Sequence, residues 1–183
     1  MNRTLIIAWL AALFSNTYTQ TTSYLRREEI QLDSVANKVS FCALGVAGDQ
    51  CVKSGQGRWE SSLFAYEDVS LNSYLPPSIR RQLGLLSVFD AAAVRPHLPE
   101  EFLGILNDNK QYALDGIVTH LNDTVGLCFE EIGLFLYGIY TEEIGVDLPP
   151  MEDIMQLAGE TDAGTHRVPE QSTRETAPVE VGA

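Results

Sequence analysis

The chain has 183 residues, an apolar fraction of 45% and 25 acidic side chains against 12 basic ones, a formal net charge of -13. That length suits a single domain with an ordinary core, and the negative excess opposes contact with a phosphate backbone. The densest basic spots, Arg26-Arg27 and Arg80-Arg81, are short, and Glu28-Glu29 offsets the first, so nucleic acid is excluded as a partner.

Residues 5–14 read LIIAWLAALF, an unbroken apolar run behind Arg3. As a helix it covers about 15 Å, half the hydrocarbon thickness of a bilayer, so it is too short to span. The basic start, the apolar run and the polar SNTYTQTTS that follows match the layout of a secretory signal peptide over residues 1–19. A membrane-contacting anchor reaching to Arg27 is the alternative, and a first helix or strand of a soluble core is the third reading. The first two place the protein outside the cell or in its envelope, and the third leaves it intracellular. Membrane contact is expected only through residues 1–27.

Residues 20–157 read as an acidic helical domain. Thr22 or Ser23 is placed to cap a helix running to about Lys38 or Phe41, with Leu25, Leu32, Val35, Ala36 and Val39 mostly on one side. Gly45, Gly48, Gly55 and Gly57 then predict a long irregular loop. Within it Cys42 and Cys51 are the natural disulfide pair if the chain meets an oxidising compartment. The segment from Trp59 to Tyr74 fits either helix or strand, and Pro76-Pro77 ends it. Ile79, Leu83, Leu86, Phe89 and Ala93 predict a helix opened by Pro77, weakened at Gly84 and closed by Pro96. Pro99, Glu100 and Glu101 begin another short turn of helix.

The strongest pattern lies between residues 109 and 141. Leu114, Val118, Leu121, Val125, Cys128, Ile132, Phe135 and Ile139 alternate spacings of four and three, an a/d seam that marks the central helix of a bundle. Asn122-Asp123 marks a kink or a break within it. Gly126 and Gly133 sit one heptad apart and point to close helix contact. Cys128 reads as a buried small hydrophobe. The run IGLFLYGIY is too short for a membrane span, and Glu130-Glu131 would sit inside the slab at high cost. Residues 158–183, poor in aromatics and rich in Thr, Glu, Gly and Pro, read as a disordered tail. The expected fold is therefore all-α, a mainly helical bundle with one irregular Gly-rich loop.

Motifs for chemistry are sparse. Lys53-Ser54 does not follow glycine as a phosphate loop requires, and no G-x-S-x-G, H-E-x-x-H or C-x-x-C occurs. His120 with Asp123 has helical spacing for a metal or proton relay, with a surface hydrogen bond as the simpler role. Asn122-Asp123-Thr124 matches the N-glycosylation acceptor pattern. Trp59, Tyr66 and Tyr74, rimmed by Arg80 and Arg81, are the candidate interaction surface, with core packing as the alternative for the aromatics. No catalytic residue, cofactor or metal ligand is assigned. The expected function is non-enzymatic: binding another protein, or self-association through the seam. The alternatives are a small hydrolase-like enzyme whose site assembles only in three dimensions, and a carrier of an apolar ligand lined by Phe102, Phe129, Phe135 and Tyr137.

Overall fold

The computed structural model describes residues 1–29 and 37–164. Among them are seven α-helices and three small antiparallel sheets, so the fold is mixed α/β and the all-α expectation is corrected.

The apolar N-terminal run forms α1 (Arg3–Phe14), capped by the Asn2 side chain, which accepts from the Leu5 N–H at 3.2 Å. A helix apolar on every side must be buried on every side, and α1 is packed by α2 (Ala43–Lys53), α6 (Phe129–Gly138) and α7 (Met151–Gly164). Ile6, Trp9 and Leu10 are completely buried, and the Trp9 indole N–H donates to the Ala43 carbonyl at 2.9 Å. The segment that resembles a targeting signal is thus the central helix of the folded domain.

The helix expected over residues 22–41 is replaced by a strand pair, β1 (Arg26–Glu29) against β2 (Lys38–Phe41), with Arg26 opposite Phe41. Leu32, Val35 and Ala36 of that expectation lie outside the described residues. The strands leave Leu25 fully buried, its N–H donating to the Asn72 carbonyl at 2.7 Å.

The glycine-rich stretch expected to be a loop is largely α2. Its first glycines are a packing surface: a Cβ on Gly45 would stand 1.6 Å from the Leu25 carbonyl oxygen, and one on Gly48 would press on Leu75, Phe64 and Trp59. This helix also overturns the disulfide. Cys42 caps its start and Cys51 lies nine residues on, about 13 Å along the axis, beyond the reach of an S–S bond. All three cysteines are free.

A three-stranded meander, β3 (Arg58–Glu60), β4 (Leu63–Tyr66) and β5 (Val69–Leu71), settles the ambiguous aromatic segment as strand. Past Pro76, α3 (Pro77–Gln82) stops early because Gly84 takes φ of 68°. The rest of that expected helix becomes β6 (Val88–Asp90) and the short α4 (Ala91–Val94), followed by 3-10 turns at Arg95–His97 and Glu100–Ile105. Strand β6 pairs with β7 (Gln111–Ala113).

The seam is real but discontinuous. It runs through α5 (Leu114–His120) and a π-type turn at Leu121–Val125, breaks at Gly126 with φ of 79°, and resumes in α6. Leu114, Val118, Leu121, Ile132, Phe135 and Ile139 are buried and Val125 is half-buried. Cys128 is exposed, because the break turns it out as the first residue before α6. Gly133 is a site of close approach, meeting the Phe14 ring of α1, whereas Gly126 faces open space and serves the turn. Helix α7 carries the chain six residues past Ala158, into the segment read as tail, and residues 165–183 lie outside the described residues.

Candidate functional site

The polar interruption of the seam organises a partly enclosed polar feature of the surface. Asn122 is 1% exposed, and its amide uses its full hydrogen-bonding capacity. Its oxygen accepts from the Ala43 N–H at 3.2 Å and from Gln20 Nε2 at 3.0 Å. Its nitrogen donates to the Thr21 carbonyl at 2.9 Å and to Asp123 Oδ1 at 2.6 Å. One side chain thereby fastens the 20–21 segment, the head of α2 and the turn after α5. Gln20 adds a second tie, donating to the Leu127 carbonyl at 2.7 Å. A buried amide committed on all sides is closed to glycosylation in the folded protein.

Beside this knot lies a cavity of about 300 Å³, lined by the head of α2 (Cys42, Ala43, Leu44), by Val118, Thr119, Asn122 and Asp123, and by Ser23, Ser73 and Tyr74. Asp123 accepts from the Ser23 N–H at 3.0 Å in addition to the Asn122 amide, which among the described residues leaves about half of the carboxylate's acceptor positions without partners. The Thr119 hydroxyl oxygen has no hydrogen-bond partner among the described residues and is buried away from the cavity. Tyr74 is 53% exposed at this site.

Cys42 has the position of a helix-capping nucleophile without the electronics of one. Its sulfur accepts from the Gly45 N–H at 3.4 Å. Burial pushes the thiol up to about 11; the Gly45 N–H pulls it part of the way back, and the Asp123 carboxylate raises it again. At neutral pH it is a thiol, and among the described residues no imidazole lines the cavity to take its proton. His120 borders a separate cleft with Leu106, Tyr112 and Ile117, so its sequence pairing with Asp123 is not a shared site. No group of three or more metal-ligand side chains exists among the described residues.

The proposed aromatic and basic surface is distributed over several environments. Trp59 is half-buried between Phe41 and Phe64, with ring centroids 5.8 and 5.4 Å away, and its indole donates to Asp49. Tyr66 is half-buried in β4, and only Tyr74 borders the cavity. Arg80 pairs with the buried Asp115, while Arg81 is exposed beside Met1 and Asn2. Of the residues suggested for an apolar carrier, Phe129 and Phe135 are buried in the core, and Tyr137 donates to the Pro149 carbonyl.

Sequence reasoning gave Gln20, Ser73 and Thr119 no part in a site, read Ser23 as a helix cap, and read Asn122-Asp123 as a kink or a break. The available clue was two adjacent polar residues inside an apolar seam, since buried polar groups require partners. No family model, no curated protein and no solved structure matches the chain.

Proposed function

We propose that the protein is a non-enzymatic recognition protein whose binding site is the cavity at the head of α2. The observation that carries this reading is the Asp123 carboxylate on the cavity wall, with about half of its acceptor positions in excess of its partners among the described residues. The fixed Asn122 knot supports the same reading, because it holds three chain segments around the cavity before any ligand arrives. The high Cys42 thiol argues against a hydrolase here, and the burial of Phe129 and Phe135 within the core argues against an apolar-ligand carrier lined by them.

Binding to another protein fits this site through a side chain inserted into the cavity, with Tyr74 at its edge. Self-association through the seam is less favoured, since most seam residues are already covered by the rest of the fold. We also infer that residues 3–14 stay with the working protein, because α1 occupies the centre of the core. Intact mass of the protein from its native host tests that point: a mass lacking residues 1–19 overturns it.

The site is tested by Asp123→Asn, which keeps the shape and removes the charge. Urea unfolding is expected to remain cooperative, while affinity for a ligand found by NMR screening falls. Unchanged affinity in the folded Asp123→Asn protein would defeat this reading.

A further inference from the structure

We infer, resting on the cavity being a binding site, that its ligand presents a positively charged nitrogen with N–H donors, an alkylammonium group at the end of a slender apolar stem. The reasoning begins with what the α2 head has left to give. The Cys42 N–H donates to the Leu25 carbonyl, Ala43 to Asn122 and Gly45 to the Cys42 sulfur. Most of the first donors of the helix are therefore engaged, and an anion arriving there would face Asp123.

The remaining capacity is on the acceptor side. Asp123 has two carboxylate positions in excess of its two partners among the described residues. Among the described residues no Lys or Arg lines the cavity. Tyr74 contributes an aromatic ring, which attracts a cation through its quadrupole. Val118 and Leu44 offer apolar wall for a methylene stem. The whole-chain charge of -13 steers a cation toward the protein and an anion away. Two sources supply this chemistry, a free small amine or a lysine side chain of a partner protein.

The test uses the full-length chain labelled with nitrogen-15 and three probes of matched shape: n-butylammonium, butyrate and 1-butanol. The expected result is that butylammonium alone shifts the Thr119, Asp123 and Ala43 amide signals saturably. Asp123→Asn should weaken it roughly tenfold in a protein that keeps its fold. Selective binding of butyrate or butanol at the same amides overturns the ligand class and leaves the site intact. Silence at these amides from all three probes overturns both the class and the site. A lysine-containing tripeptide with blocked ends then separates the sources. Tighter binding than butylammonium, abolished by acetylating the lysine nitrogen, assigns a partner's side chain; equal binding assigns a free amine.

Discussion

Single residues set the chemistry of this protein through burial. Cys51 is pushed up to about 12 by burial alone, and Cys42 to about 11, whereas Cys128 is exposed. A disulfide reagent at pH 8 is therefore expected to titrate one thiol rapidly and two slowly, with Cys128→Ser removing the fast phase. The same burial fixes a pH dependence. The unfolded thiols ionise near 9, and the folded ones stay protonated to higher pH, so the unfolded state binds fewer protons above pH 9. Stability should be fully present below pH 9 and fall between pH 9 and 10 by a slope approaching 1.4 kcal/mol per pH unit for each thiol. Urea unfolding across that window checks it, and Cys51→Ala should roughly halve the slope. At the opposite extreme stands Arg80, whose pairing with buried Asp115 ties α3 to α5. Asp115→Ala leaves that guanidinium without its counterion, and chemical unfolding should register a loss of about 3 kcal/mol.

At the scale of elements, two features decide whether the domain folds. Helix α1 contributes Leu5, Ile6, Trp9, Leu10 and Leu13, all buried. At about 2 kcal/mol for each large apolar side chain, their removal would cancel a typical domain stability. A chain starting at Gln20 is thus expected to lack a cooperative thermal transition by circular dichroism, and Trp9→Ala in the full chain should cost about 3–5 kcal/mol. Helix α2 depends on contact with the chain before β1. Gly45→Ala would drive a methyl group into the Leu25 carbonyl, and its cost should reach at least the 1–3 kcal/mol of overpacking, read as a lower unfolding midpoint. That contact also explains a misreading. Glycines at close packing and glycines in loops have the same composition, so the run from Gly45 to Gly57 looked irregular until Leu25 and Leu75 were placed beside it.

For the whole molecule, the apolar surface that the seam offers for assembly is largely consumed internally by α1 and its neighbours. Size-exclusion chromatography with light scattering should report a monomer at all concentrations; a concentration-dependent dimer would show that other exposed apolar residues, such as Val88 and Leu134, govern association. Sequence pattern alone determined the apolar faces of α5 and α6 and the lack of the linear motifs sought, because these depend on spacing within a few turns of chain. Only the tertiary structure decided that α1 is a core helix. An all-apolar helix of its length satisfies burial equally in a protein interior or a membrane-directed segment, and the neighbours that cover it come from residues 43–164. The same holds for the cavity: Ser23, Cys42, Thr119 and Asp123 are separated by up to 100 residues. Asn122 joins their segments through hydrogen bonds that leave no spacing pattern in the chain.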